Sequence, residues 1–80
     1  IEITSGVLQE VYLSDFENVT YFDGASNLIS NTNQILLDLV TNGKTGGYLN
    51  LTGGANVAPS GQGLTDKATL QSRGWTVLTK

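Results

Sequence analysis

The side chains of this chain that could take part in catalysis are carboxylates, hydroxyls and amines, because its 80 residues include neither histidine nor cysteine. Asp15 and Glu17 are the closest carboxylates in the sequence and could form a general acid and base pair. Together with Asp23 they could offer oxygen atoms to calcium, although their spacing differs from that of a calcium-binding loop. Because they lie in a polar, turn-like stretch, solvated carboxylates are the simpler interpretation.

Nucleophiles and phosphate-binding loops lack the partners that they need. No histidine is present to activate a serine or threonine, and Ser60 with Lys67 has no supporting motif. Residues 43–45 read Gly-Lys-Thr, as at the end of a phosphate-binding loop, but Asp38 occupies the position of the first required glycine. The triplet also follows a predicted helix, whereas such a loop precedes one. We therefore predict that the protein is not an enzyme and uses no cofactor or metal ion.

Composition argues against two classes of partner. The net charge is -3 and the four basic residues are scattered along the chain, so we expect no binding to nucleic acid. No apolar run approaches the length of a membrane-spanning helix, so we expect no membrane insertion. Charged residues make up only 14% of the chain, and glycine, asparagine, serine and threonine fill the polar positions. This composition is typical of an extracellular or virion surface.

The first third of the sequence has β-type patterns. Residues 1–14 alternate apolar and polar side chains imperfectly, which predicts one or two strands. Residues 19–22 form a third β-prone run, which ends in an Asp-Gly turn. We treat residues 1–80 as a single domain. In it, residues 1–18 form an N-terminal β segment that could act as an assembly arm, and residues 19–80 form a repeat-like module.

A helix is predicted next. Asn31 and Gln34 resemble a capping box at its start, and Gly43 is placed to end it in the left-handed conformation. Between these ends lies one apolar stripe, formed by Ile35, Leu36, Leu39 and Val40. The stripe predicts one buried face.

The C-terminal half has a strand, a second helix and a final strand. Residues 48–52 alternate as a strand. Residues 64–73 are predicted to form a helix with a thin apolar face of Leu64 and Ala68, from which Leu70 is offset. Residues 75–79 alternate as the closing strand.

The two strands of this half look like copies of one another, because Leu49 and Leu51 recur as Trp75 and Val77. A repeat of about 26 residues with one strand and one helix has the size of a leucine-rich repeat. Strands joined by right-handed crossovers in one sheet are parallel. Trp75 could be an exposed binding anchor, but sealing the open end of the core is the simpler interpretation. The alternative to a repeat is a generic small α/β domain whose spacing arises by chance.

A weaker copy of the pattern precedes these units. Phe22 lies about one repeat length before Leu49, and residues 19–29 follow a degenerate leucine-rich-repeat line with Asn27 at the asparagine position. In the second unit, Gly54 takes that position. The predicted fold class is therefore α/β. It is a small leucine-rich-repeat-like strand–helix–strand–helix–strand unit with parallel strands, preceded by one or two N-terminal β-strands.

Residues 36–80 resemble a recurring C-terminal module of phage structural proteins (fibre, spike or capsid) and bacterial surface proteins. The resemblance rests on the order of five motifs: Asn-Gly at 42–43, a glycine and a leucine-x-leucine strand at 47–51, Ala-Pro-Ser at 58–60, a glycine–leucine helix at 63–70, and Arg-Gly-Trp-Thr-Val at 73–77. Residues 1–30 do not share it. The resemblance implies a structural or adhesive part of a virion or cell-surface protein, and it implies no catalytic activity.

The expected function is that of a non-enzymatic virion structural or receptor-binding module, in the terminal part of a phage fibre, spike or capsid-associated protein. The alternative is a secreted or cell-surface bacterial leucine-rich-repeat-like module for protein binding or adhesion. The expected partners are other virion or surface-protein subunits, in a homo-oligomer, and a host receptor. The expected binding residues lie on the strand face opposite Leu49 and Leu51, and they are Tyr48, Asn50, Thr52 and Thr76.

Overall fold

The computed structural model describes residues 1–80 and contains three strands and two helices in alternation. They are β1 (Tyr21–Asp23), α1 (Thr32–Asn42), β2 (Tyr48–Leu51), α2 (Gln62–Ser72) and β3 (Thr76–Thr79). The strands form one parallel sheet in the order β1–β2–β3. The predicted α/β class, element order and parallel direction are therefore confirmed. Neither helix has the length and apolar character that a membrane crossing requires.

The register of the sheet places Leu49 between Phe22 and Val77. Leu49 therefore pairs with Val77, and the predicted equivalence of Leu49 with Trp75 is wrong. The reason lies at the end of α2, where the backbone N–H of Trp75 donates to the carbonyl oxygen of Leu70 at 3.0 Å. Trp75 is thus held by the C-terminal end of α2, and strand pairing begins at Thr76.

The N-terminal strands predicted within residues 1–14 are not formed, apart from an isolated parallel bridge between Glu2 and Asp23. Further along, the segment bonds to no strand. The carbonyl oxygens of Leu8 and Gln9 accept from the N–H groups of Leu28 and Ser30 at 2.9 and 2.8 Å, and other bonds go to side chains. The N–H of Leu13, for example, donates to Oδ2 of Asp38 at 2.9 Å. The segment therefore lies on the core of its own chain, with the Leu13 side chain buried.

One apolar layer joins the sheet to the helices. Twelve buried apolar residues form a single cluster, which includes Leu49, Leu51, Val77 and Trp75. The exposed fraction of Trp75 is 4%, and its Nε1 donates to the carbonyl oxygen of Lys44 at 2.9 Å. The prediction that Trp75 seals the core is confirmed, and β2 and β3 share one buried layer.

The end of α1 is as predicted, but its start is not. Gly43 has a φ of 79°, the left-handed conformation that closes a helix. Asn31 makes no side-chain capping bond, so the predicted capping box with Gln34 is wrong. Instead, the Asn31 amide accepts from the N–H of Val11 at 3.0 Å and donates to its carbonyl oxygen at 2.7 Å. A long-range contact with the N-terminal segment replaces the local cap.

The buried face of α2 differs from the predicted one. Leu64 and Ala68 are exposed, whereas Gly63 and Asp66 are buried. The helix lies so close to α1 that a Cβ on Gly63 would overlap the side chain of Asn33. A glycine on the contact side thus permits the approach of the two helices. Leu70 is the apolar residue of α2 that joins the core, whereas Leu64 does not.

Candidate interaction surface

One face of the sheet packs on the helices, and the other face, here called the open face, does not. In β2, Leu49 and Leu51 are buried, so the alternating Tyr48 and Asn50 lie on the open face, where both are half-buried. Thr76 of β3 is exposed at the register position beside Tyr48. The structure thus places three of the predicted binding residues on one face.

Two tyrosines stack on the open face. Tyr21 of β1 pairs in register with Tyr48 of β2, and their ring centroids are 5.2 Å apart with an interplanar angle of 14°. Tyr21 is 45% exposed, so the pair presents aromatic surface to solvent. Partial burial raises the pKa of the Tyr21 phenol, and the carboxylates of Asp23 and Glu2 raise it further. The hydroxyl therefore stays protonated at neutral pH and can both donate and accept.

Asn50 organises the polar part of the open face. Its Oδ1 accepts from the N–H of Thr52 at 3.0 Å and from the Thr52 hydroxyl at 2.7 Å. These bonds use the carbonyl oxygen of the amide and leave its NH2 group for a partner. In β3, the register neighbour of Asn50 is Leu78, which is 41% exposed. This part of the face combines a hydrogen-bond donor with apolar area.

Tyr21 and Leu78 lie on the open face but are not among the predicted binding residues. Tyr21 precedes the buried Phe22, so alternation along that strand could have placed it beside Tyr48. Leu78 alternates with the buried Val77 by the same rule. An apolar side chain, however, gives no sign in the sequence of whether it lies in a core or in a contact surface.

Two buried asparagines hold the turns that follow β1 and β2. Asn56 Oδ1 accepts from the N–H of Ile29 at 2.9 Å, and Asn56 Nδ2 donates to the carbonyl oxygen of Gly24 at 2.9 Å. Asn27 Nδ2 donates to the same carbonyl oxygen at 3.1 Å. Asn27 thus lies buried in the turn after β1. In the second unit, the buried amide belongs to Asn56 and not to the predicted position 54.

The residues considered for catalysis are dispersed. Asp15 and Glu17 are exposed in a turn, and Asp23 accepts from the N–H of Ala25 at 3.1 Å. No group of three or more histidine, cysteine, aspartate or glutamate residues lies close enough together to hold a metal ion, and the structure has no pocket. Lys44, from the Gly-Lys-Thr triplet, lies in the link between α1 and β2, where its carbonyl oxygen accepts the indole bond.

Comparisons of the chain with protein-family models, with curated proteins and with solved structures found no match. The fold is therefore described by its own geometry, as a small compact α/β unit with three parallel strands and two helices. The resemblance to phage structural and bacterial surface modules stays a prediction from the order of the motifs.

Proposed function

We propose that this chain is a non-enzymatic protein-binding module that contacts its partner through the open face. The observation that carries the proposal is the stack of Tyr21 on Tyr48, because Tyr21 is 45% exposed. Parallel sheets are normally covered on both faces, so an uncovered face with stacked aromatic rings is unusual for a surface that meets only water. Tyrosine supplies rigid, amphipathic contact area at low cost in conformational entropy.

The groups around the stack suit a partner of mixed polarity. The NH2 group of Asn50 and the hydroxyl of Thr76 can bond to polar groups of the partner, while Leu78 adds apolar area. Glu2 and Asp23 form a parallel backbone bridge at the β1 edge of the same sheet, which brings two carboxylates to that edge. Their carboxylates favour a partner with a basic side chain at that position.

We propose further that the module is leucine-rich-repeat-like. Three features support this type: parallel strands in which Phe22, Leu49 and Val77 are equivalent, one helix between each pair of strands, and a buried asparagine in the turn after β1 and after β2. Leucine-rich repeats have a length of roughly 20–29 residues, and both strand-to-strand intervals lie within it. Repeat proteins of this kind use the extended surface of the stacked units for binding.

The proposed setting is a virion, with the chain as part of a phage fibre, spike or capsid-associated protein that contacts other subunits or a host receptor. The order of motifs within residues 36–80 is the support for this setting. The alternative setting is a bacterial cell surface or the extracellular space, where the open face would serve adhesion. Immunogold electron microscopy of the source culture separates the two, because an antibody to the chain labels released particles in the first case and cell envelopes in the second.

Binding of the fluorescently labelled chain to intact Gram-negative and Gram-positive bacteria tests the open face. We expect saturable binding to at least one cell type, lost when surface proteins are removed by protease and weakened about tenfold or more by Tyr21→Ala. Tyr12→Ala is the matched control, because Tyr12 is 58% exposed and lies outside the open face. Equal losses in the two variants would contradict the role of the open face, and absence of saturable binding would exclude a bacterial surface protein as its partner.

A further inference from the structure

We propose that copies of this chain associate head to tail, with the free side of α2 and β3 in one copy against the N-terminal segment of the next copy. The proposal concerns the two outer edges of the sheet and the flank of α2 rather than the open face, and Glu2 is the one residue that borders both. Three observations carry it: the equivalence of the two helices, the unpaired strand edges, and the distribution of charge.

α2 has the same place in its unit as α1 in the preceding one. In α1, Gln34 Nε2 donates to Asp38 Oδ1 at 2.7 Å, and in α2, Gln62 Nε2 donates to Asp66 Oδ1 at 3.0 Å. The interval from Gln34 to Gln62 equals the interval from Leu49 to its partner Val77, which is the register between β2 and β3. Residues 34–42 of α1 therefore have equivalents in residues 62–70 of α2, one such interval later.

The side of α1 that faces the second unit is covered. Asn33 Oδ1 accepts from the N–H of Ser60 at 3.0 Å, and the carbonyl oxygen of Val40 accepts from Arg73 Nη1 at 2.8 Å. Leu36, on the same side of the helix, is fully buried. This side of α1 is thus the contact between one unit and the next.

The equivalent side of α2 is uncovered. The equivalents of Leu36 and Val40 are Leu64 and Ala68, and Leu64 is 55% exposed. In a stack of repeats, each unit buries its apolar residues against its neighbours. Leu64 and Ala68 therefore form an apolar stacking side without a neighbour, which explains why the sequence shows an apolar face that the core does not use.

β3 has one unpaired edge. The N–H of Thr76 donates to the carbonyl oxygen of Gly47 at 2.9 Å, so Thr76 directs its backbone groups toward β2. In a parallel ladder, alternate residues direct their backbone groups to opposite sides. The backbone groups of Val77 and Thr79 therefore point to the free side, where they can pair with another strand.

The other side of the sheet is also unpaired. The N–H of Asp23 donates to the carbonyl oxygen of Ile1 at 2.7 Å, and the N–H of Ile3 donates to that of Asp23 at 2.9 Å. The backbone groups of Glu2 therefore point away from the sheet. Since every strand is parallel and the two free edges lie on opposite sides, stacking one copy on the next continues the parallel direction.

Charge selects this arrangement over a two-fold dimer. Residues 1–38 contain six of the seven carboxylates and no basic residue, whereas residues 39–80 contain all four basic residues and one carboxylate. At the β3 side, Lys67 Nζ donates to Thr79 Oγ1 at 2.8 Å, and Lys80, which follows the strand, donates from Nζ to the carbonyl oxygen of Gly54 at 2.8 Å. A two-fold dimer would place like ends and like charges together, whereas a head-to-tail contact places the basic end against the acidic one.

Sedimentation velocity of the 80-residue chain at about 10 mM and about 500 mM salt tests the proposal. At low salt we expect an average mass that grows with concentration and does not stop at a dimer, because a head-to-tail contact does not close. At high salt we expect the association to weaken by about tenfold or more, because the complementary charges are screened.

Two substitutions each block one end. Leu64→Glu places an acid on the stacking side of α2, and Glu2→Lys places a base at the N-terminal edge. Each variant alone is expected to be a monomer, and an equimolar mixture is expected to form a 1:1 dimer, because one intact end of each kind remains. Leu37→Glu is the matched control, since Leu37 of α1 is 43% exposed and has no part in either end, and it is expected to associate like the unaltered chain.

Three results would overturn the proposal. The first is an unaltered chain that stays monomeric at every concentration and salt, which would leave a different molecule as the occupant of both ends. The second is association that persists in Leu64→Glu or Glu2→Lys alone. The third is a mixture of the two variants that stays monomeric while circular dichroism shows that both are folded.

Discussion

The indole of Trp75 lies over Gly47 at a distance that leaves no room for a side chain at that position. A Cβ added to Gly47 would be 2.5 Å from two carbon atoms of the six-membered ring. The indole also donates from Nε1 to the carbonyl oxygen of Lys44, so it holds both ends of the link that joins α1 to β2. Gly47 does not have a positive φ, and a glycine is needed there for the close approach of the ring.

Gly47→Ala is expected to lower the free energy of unfolding by about 1–3 kcal/mol, because the added methyl group must displace a buried indole. In a Trp75→Phe background the ring is smaller, so the same substitution is expected to cost less and the two effects are not additive. Urea unfolding followed by far-ultraviolet circular dichroism measures both. Equal costs in the two backgrounds would show that the indole is not the obstacle.

The same residue shows which part of the fold follows from the sequence. Alternation predicts the buried face of each strand and, with the crossover rule, the parallel order, because burial of every second residue is a local pattern. Alternation cannot fix the register. Trp75 and Val77 both lie on the same face of an alternating strand, so either could be the partner of Leu49. Only the bond from Trp75 to the end of α2, which depends on how the helix ends, removes the tryptophan from the strand.

The residues of the open face were more predictable than the hydrogen bonds that hold the turns after β1 and β2. Tyr48, Asn50 and Thr76 follow from alternation alone. The buried amide of Asn56 does not, because its partners Ile29 and Gly24 lie 27 and 32 residues away in the sequence. Contacts over such separations depend on how the turns after β1 and β2 pack against each other, which no local pattern describes.

Glu10→Gln is expected to lower the pKa of Tyr12. The Tyr12 hydroxyl donates to Glu10 Oε2 at 3.0 Å, and this bond, followed by the negative charge of Glu10, raises the pKa of the phenol above its ordinary value of 10.0. Removing the charge weakens both causes. The ultraviolet absorbance of tyrosinate measures the change, and subtraction of a Tyr12→Phe titration assigns it.

The direction of the pH dependence follows from the raised pKa. Folded Tyr12 keeps its proton at a pH where the unfolded chain has lost it, so its contribution to stability is present below pH 10.0 and is lost as the pH rises through the higher folded value. Glu17→Gln is the control, because Glu17 lies in an exposed turn. Superimposable titrations of the unaltered chain and Glu10→Gln would contradict the assignment.

Asn56→Asp is expected to destabilise the chain by about 3 kcal/mol or more at neutral pH, because a carboxylate oxygen would replace a buried donor. The Asn56 NH2 group donates to the carbonyl oxygens of Gly24 and Leu51 at 2.9 and 3.2 Å. Burial would raise the folded pKa of the new carboxyl, so its cost should shrink as the pH falls toward about 4. Asn50→Asp is the control on the open face, and it is expected to change stability by less than about 0.5 kcal/mol. Similar costs in the two variants, measured by urea unfolding, would contradict the role of the buried amide.

Asp38 and Asp66 have equivalent positions in the two helices but different surroundings. Both are 5% exposed, and each accepts a bond from the glutamine four residues before it. Asp38 Oδ2 also accepts from the N–H of Leu13 at 2.9 Å, whereas Asp66 Oδ2 is buried without a partner. The segment that packs on α1 is irregular, so the N–H of Leu13 is not used within an element and can donate to Asp38. α2 packs instead on α1, whose N–H groups are used within the helix.

The same substitution is therefore expected to have different effects at the two positions. Asp38→Asn turns one accepting oxygen into an NH2 group that faces another donor, which should lower the free energy of unfolding by about 1–3 kcal/mol. Asp66→Asn keeps an oxygen for Gln62, places the NH2 group where the unpaired oxygen lies and removes a buried charge. Its stability should be unchanged or higher by about 1 kcal/mol. Urea unfolding at neutral pH measures both, and an Asp66→Asn loss as large as that of Asp38→Asn would mean that Asp66 Oδ2 has a donor after all.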